Sequence, residues 1–243
     1  KKRLENIVDF IIKNHRGKTY NKKFQSIFAV SDINTLIDYY HLFKEKSNDL
    51  KIAAIFTYGA NVDLSNDEGT FEVEGEECKH PREHLDEIVE DYNKMFGTNF
   101  NLNIENDFNN YFTDISDKVI KRKIDILLVV NMFLTGFDSK YLNTLYVDKN
   151  LRYHGLIQAY SRTNRILGVD KAHGNIVCFR NLKERTDEAI RLFSDVNAIE
   201  TVLMKDYSEY LEDFNKSVES LREIAPTPPD VDNLHTEENK LKF

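Results

Sequence analysis

The chain has 243 residues, 41% of them hydrophobic and 30% charged, and carries a formal net charge of −8. That length suits one large domain, or one domain with an extension, and the composition is that of a globular fold rather than a disordered or fibrous one. The acidic balance excludes a uniformly basic nucleic-acid coat, although a local basic groove is compatible with it.

Taken in chain order, Lys1-Lys2-Arg3 runs straight into Leu4-Glu5-Asn6 without the apolar core of a signal peptide. The first residue is Lys rather than Met, as expected of a piece of a longer polypeptide or a processed one. Leu4, Ile7, Val8, Ile11 and Ile12 recur at helical spacing and predict an amphipathic helix over residues 3–13. Phe24 to Val30 reads as a buried strand. Ser31-Asp32 then offers an N-cap for a helix holding Leu36, Ile37, Tyr40, Leu42 and Phe43. Lys51 to Phe56 is a second strand, and the Asp- and Glu-rich residues 61–80 read as a solvated acidic loop. Helical spacing returns over 83–96, with Gly97 as C-cap, and again from Ile104 to Val119.

Ile124 to Val130 is the strongest strand, apolar on both faces as in the middle of a helix-covered parallel sheet. The apolar run here, Ile124 to Leu134, is the longest in the chain. Asp125 and Asn131 interrupt it, and it falls short of the roughly 20 residues of a membrane span. Leu142 to Val147 and Asn175 to Phe179 complete five strands alternating with helices, the pattern of a doubly wound α/β domain. Residues 186–224 show only helical spacing, from Ile190 to Leu221. Ala225-Pro226-Thr227-Pro228-Pro229 ends that stretch, and a polar tail follows. The two cysteines, Cys78 and Cys178, form no C-x-x-C pair and fit buried thiols in a reduced, cytoplasmic chain.

One stretch carries chemistry. Gln158, Arg162 and Arg165 fall on consecutive turns of a predicted helix that follows a short apolar strand. Two guanidinium forks and an amide on one face suit a polyphosphate. The spacing Q-x-x-x-R-x-x-R resembles motif VI of superfamily 2 helicases and translocases. F-Q-S-I-F-A-V-S, ending at Ser31, resembles their motif IV, and D-I-L-L-V-V-N-M-F-L-T-G-F-D resembles motif V. L-N-T-L-Y-V-D-K and L-R-Y-H-G-L-I-Q-A-Y-S-R-T-N-R narrow the resemblance to the motor subunit of type I restriction-modification enzymes. The likeness is dense over 125–166 and extends over 24–180. After 185 it rests only on helical type and position.

The resemblance implies a RecA-like, mostly parallel sheet with helices on both faces, followed by an all-helical extension. Residues 1–182 would be the second motor lobe, 183–225 the start of a helical domain, and 226–243 a tail or linker. Arg165 would be an arginine finger on the γ-phosphate of ATP, Arg162 its neighbour, and Gln158 the amide coupling them. Gly136 would let backbone approach the nucleotide, and Asp138 would accept a ribose hydroxyl or orient an arginine. Ser31 and Thr135 would contact DNA. The expected place for Thr135, Gly136 and Asp138 is the carboxyl edge of the sheet, where α/β folds bind ligands.

ATP and Mg²⁺ would be held mainly by a first lobe that this stretch lacks. The implied partners are double-stranded DNA, methyltransferase and specificity subunits, and a first lobe and nuclease domain on the same chain, with no membrane. Two other readings stand beside this one. The first is the lobe of a different superfamily 2 helicase or remodeller. The second is a catalytically silent module for docking DNA or a subunit.

Several features have plainer readings. Gly17-Lys18-Thr19 imitates the end of a P-loop, but position 12 is Ile and a helix precedes it. Pro229-Asp230 with Glu238-Asn239-Lys240 spells a nuclease formula without the supporting strand, and reads as tail. Phe133 and Phe137 suit either base stacking or packing of their loop, and packing is the preferred reading. His154 reads as a capping or packing residue. His80 and His84 have the helical metal-pair spacing, but Pro81 intervenes and no third ligand is evident, so no metal site is expected. Lys118, Lys121, Arg122 and Lys123 fit equally a phosphate-contacting groove and a solvated helix face.

Overall fold

Alternating apolar runs and amphipathic stretches become strands and helices in the order expected. The computed structural model describes residues 1–46, 49–57, 81–169, 171–193, 207–233 and 236. Its elements are α1 (Lys2–Lys18), β1 (Gln25–Val30), α2 (Ile33–Glu45), β2 (Ile52–Ile55), α3 (Pro81–Phe96), α4 (Asp107–Ile120) and β3 (Ile126–Val129). There follow β4 (Leu142–Asp148), α5 (Tyr153–Ser161), β5 (Asn175–Cys178), α6 (Lys183–Phe193), α7 (Tyr207–Ile224) and a short 3-10 helix (Pro228–Asn233). The acidic stretch 61–80, Cys78, His80 and the Glu238-Asn239-Lys240 triplet lie outside the described residues.

The five strands form one all-parallel sheet in the order β2-β3-β1-β4-β5. Every residue of β1 to β4 is buried, as a sheet covered on both faces requires. Only β5, at the edge, alternates between half-buried and exposed residues. Cys178 is therefore exposed, not buried as its residue type suggested, although the Tyr160 hydroxyl lies 3.4 Å from its sulfur. The two faces can be told apart from side chains on β4. Tyr146 meets His15 of α1 and Phe28, whose ring centre lies 4.7 Å from that of Tyr39 of α2, tilted at 58°. Val147 points the other way, in register with Cys178, which meets Tyr160 of α5. Right-handed crossovers put α2 and α5 on opposite faces for the same reason.

Two predicted boundaries shift. α1 runs on to Lys18, so the Gly17-Lys18-Thr19 imitation of a P-loop is the end of a helix. Thr19 caps it, fully buried, its hydroxyl donating to the His15 carbonyl at 2.7 Å. α4 starts at Asp107 rather than Ile104, because Asn106 adopts a left-handed backbone (φ 68°) that breaks the helical path.

The chain divides into two compact units, Lys1–Ala189 and Ile190–Phe243. The first contains the sheet and its core. In the second, α7 leaves Leu211, Phe214 and Leu221 exposed.

Candidate functional site

The carboxyl edge of the sheet is organised by charge. β1 ends at Val30, and Asp32 caps α2 by accepting the Thr35 amide and hydroxyl, both at 2.8 Å. Ser31 donates its hydroxyl to the Asp32 carboxylate at 2.5 Å. Burial pushes the Asp32 carboxyl up, but these hydrogen bonds outweigh it and hold it below the usual range.

Next along the edge, Asp148 closes β4 with its side chain wholly buried. It accepts Arg3 at 2.6 and 2.9 Å, Arg180 at 2.9 Å and the Tyr39 hydroxyl at 2.6 Å. Burial acts to raise its carboxyl, yet three donors bring it down to about 2. One carboxylate thus joins α1, α2, β4 and the segment after β5. Lys149, beside it, donates to Asn131 Oδ1 at 2.9 Å and to the Ser31 carbonyl at 3.4 Å. It therefore ties the loop after β1 to the loop after β3. Burial lowers its ammonium below the ordinary lysine range.

The loop 130–141 carries the chain from the carboxyl end of β3 to the amino end of β4, past β1, with no helix in the crossover. It is pinned to the core by Phe133, which is 3% exposed and packs 4.9 Å from Phe112 and 4.8 Å from Phe137. The packing reading of these aromatics holds. Phe133 (φ 66°) and Gly136 (φ 72°) both take left-handed backbone. A Cβ on Gly136 would meet nothing within 4 Å, so backbone conformation, not space, calls for glycine there. Thr135, Gly136 and Asp138 are exposed.

The segment after α5 lies against this loop. Arg162 donates Nη1 to the Phe137 carbonyl, Nε to the Gln158 carbonyl at 3.0 Å, and Nη2 to Ser161 Oγ at 3.1 Å. Arg165 forms an ion pair with Asp138, both side chains remaining about half exposed at 59% and 48%. Gln158 is exposed on α5, its carbonyl serving Arg162 and Ser161.

Two sequence-derived expectations are corrected. α5 ends at Ser161, so Arg162 caps the helix and Arg165 lies beyond it rather than on a further turn. The helix tightens and stops because Arg162 and Thr163 make short-range bonds to the Ala159 and Tyr160 carbonyls, both at 3.2 Å. Thr163 turns inward, 2% exposed, with its hydroxyl on the Tyr160 carbonyl at 3.1 Å. Asp138, expected with Thr135 and Gly136 at the carboxyl edge, is instead drawn to Arg165 beyond the end of α5. α5 runs antiparallel to the strands, so its end, like the end of loop 130–141, faces the amino edge. Ser31 stands apart, with Lys149, at the carboxyl edge.

Four supporting residues were not singled out from the sequence. Lys171 is buried and donates to the Leu142 carbonyl at 2.7 Å; burial pulls its ammonium down to about 8, against the opposing pull of Asp138. Gly174 abuts Thr163: a Cβ there would sit 2.4 Å from the Thr163 carbonyl oxygen. Asp148 and Lys149 had one usable signal, a charged pair closing an otherwise apolar strand.

The basic cluster before β3 is largely occupied. Lys118 pairs with Asp114, Lys121 with Asp117 at 3.0 Å, and the Arg122 guanidinium lies 4.6 Å from the Tyr141 ring centre. His154 is exposed in the first turn of α5. No helix among the described residues is long and apolar enough to cross a membrane.

Comparison with known proteins places the chain in a family. Residues 22–181 match the model of type I restriction enzyme subunit R domain 3, and residues 202–243 that of the type I restriction and modification enzyme subunit R C terminal. The type I restriction enzyme SauCOLORF180P endonuclease subunit of Staphylococcus aureus (strain COL) is 47% identical over 247 residues, covering 100% of this chain and 26% of the relative. The SsaAORF53P endonuclease subunit of Staphylococcus saprophyticus is 46% identical over 247 residues, covering 99% and 26%. The putative MjaVIIP endonuclease subunit of Methanocaldococcus jannaschii is 35% identical over 147 residues, covering 60% and 12%. The chain spans about a quarter of the length of the most similar of these relatives. A parallel sheet matched along nearly its whole length, and near half identity across the full chain, make this chain a member of the type I restriction enzyme R-subunit family.

Proposed function

We propose that this chain is the second RecA-like lobe, with the start of the helical domain, of the ATP-driven DNA-translocating and DNA-cleaving subunit of a type I restriction enzyme. The relatives are named as endonuclease subunits, which supports the nuclease assignment for the intact subunit. One observation carries the motor reading. Two guanidinium groups are held against loop 130–141, and Arg165 remains 59% exposed and accessible to a substrate.

On this reading ATP is the substrate, clamped between this lobe and a first lobe that supplies the P-loop and the Mg²⁺ site. Arg165 leaves Asp138 to stabilise charge developing on the γ-phosphoryl group, and Asp138 holds the guanidinium between turnovers. Arg162 keeps the finger segment in register with the loop through the Phe137 carbonyl. Gly136 allows backbone to approach the nucleotide, and Gln158 couples the arginines to it. Ser31 and Thr135 contact the DNA backbone, with Lys149 setting the spacing of the two loops. Because the arginines and Ser31 lie toward opposite edges of the sheet, nucleotide state and DNA grip can be linked through one rigid sheet. Double-stranded DNA, the methyltransferase and specificity subunits, and the subunit's own first lobe and nuclease domain are the partners, in the cytoplasm.

The test is Arg165→Ala in the intact subunit. DNA-stimulated ATPase should fall by roughly 10³-fold or more, as for other arginine fingers, while fold and complex assembly are retained. Turnover within a few-fold of the parent removes the finger assignment.

A further inference from the structure

Among the described residues, one cluster of metal-ligating side chains outside the arginine segment has no role in the proposed motor chemistry. His41 lies on α2; His84 and Glu87 lie one turn apart on α3. One nitrogen from each imidazole and one Glu87 oxygen all fall within 4.8 Å of one another. His41 Nδ1 is 3.9 Å from Glu87 Oε1, and the two imidazole centres are 5.8 Å apart at 68°. Ligand bonds of roughly 2.0–2.2 Å in a tetrahedral zinc site separate neighbouring ligand atoms by roughly 3.3–3.6 Å. Small side-chain rotations on two packed helices cover that difference. All three residues are half-buried, accessible to an ion yet partly shielded from bulk water.

We propose that His41, His84 and Glu87 form a binding site for a divalent transition-metal ion of the zinc type, bridging α2 and α3. Two imidazoles and one carboxylate select such an ion over Mg²⁺ or Ca²⁺, which prefer all-oxygen shells. Three protein ligands leave a fourth position for water. Glu87 also lies 3.4 Å from Lys44 Nζ, but Lys44 sits closer to Asp91, at 2.5 Å, and keeps that partner when Glu87 turns to the metal. Lys44 and the Tyr40 hydroxyl, at 3.1 Å, also tie α2 to Asp91 of α3. A metal therefore adds a second, independent clasp. The inference rests on α2 and α3 alone and does not depend on the ATP reading.

The test is isothermal titration of the metal-free 243-residue chain with Zn²⁺, together with thermal melts at each metal concentration. One equivalent should bind and raise Tm, since an ion that binds only the folded state stabilises it. His84→Gln and Glu87→Gln should each weaken binding by about tenfold or more and abolish the Tm rise, with far-UV circular dichroism unchanged. Should His84→Gln fail to fold, the half-exposed Glu87→Gln alone decides the matter. Absence of a stoichiometric Zn²⁺ event, or binding unaltered in the variants, overturns the site.

Discussion

Replacing Gly174 by Ala adds a single methyl group, yet it should disturb both stability and catalysis. The new Cβ would lie 2.4 Å from the Thr163 carbonyl oxygen, 2.5 Å from its Oγ1 and 2.6 Å from its Cβ. Ordinary contact needs roughly 3.5 Å, so the two segments must separate by roughly 1 Å. Thr163 cannot swing away, because its amide and hydroxyl both bond the Tyr160 carbonyl, at 3.2 and 3.1 Å. The displacement therefore passes into backbone. Overpacking of this kind costs about 1–3 kcal/mol, or roughly 2–12 °C in Tm for a chain of this size. The same shift moves Arg162 and Arg165, which flank Thr163, and a misplacement of about 1 Å at a catalytic group can cost roughly 10²-fold in rate. Gly17→Ala is the matched control. It adds the same methyl within α1, where nothing lies within 4 Å, and should stabilise by about 0.5–1 kcal/mol. Chemical denaturation of the 243-residue chain reads the first effect, and DNA-stimulated ATPase of the intact subunit reads the second. If Gly174→Ala melts like the parent and turns over normally, the Thr163 contact does not hold the arginine segment.

Acid should lower the protein's stability over two successive pH ranges. His15 is buried with Nε2 lacking a hydrogen-bond partner, and burial lowers its pKa to about 4 from 6.5. Its protonation favours the unfolded chain, so about 3 kcal/mol is lost as pH falls from about 6.5 toward 4. Asp148, held at about 2 against 3.8, contributes about 2 kcal/mol that is present above the unfolded pKa and lost between roughly pH 4 and 2. Urea midpoints followed against pH should lose the upper step in His15→Gln; an unchanged profile contradicts the buried neutral imidazole. Lys149→Met removes the tie between the loops after β1 and β3. In the intact subunit it should raise the DNA concentration for half-maximal ATPase by about tenfold, the scale of one lost charged hydrogen bond. A half-maximal concentration unchanged from the parent separates Lys149 from DNA grip. The 243-residue chain alone should hydrolyse no ATP, and clear turnover by a clean preparation would reveal a complete site within it.

The strands and most helices were legible because burial imposes local periodicity. β3 is apolar on both faces, as the middle of a covered parallel sheet requires. The Arg162 and Arg165 positions were legible as types and spacing, but their placement was not. Spacing of three and four residues suggests consecutive helical turns, whereas α5 stops at Ser161 once Thr163 turns into the core. No local pattern announces that inward turn, since the Gly174 against which Thr163 packs is eleven residues away.

By itself the sequence determined the α/β class, the five strands seen among the described residues, the helical extension and the family, since each rests on local periodicity or on short runs of residues. Tertiary structure decided what meets across long separations. It set Arg165 against Asp138 toward the amino edge, gathered Arg3, Tyr39 and Arg180 onto the buried Asp148, and brought His41 to His84 and Glu87. The physical reason is common to all of these. Hydrogen bonds and ion pairs act within a few ångströms, and only the crossing order of the strands determines which distant residues come that close.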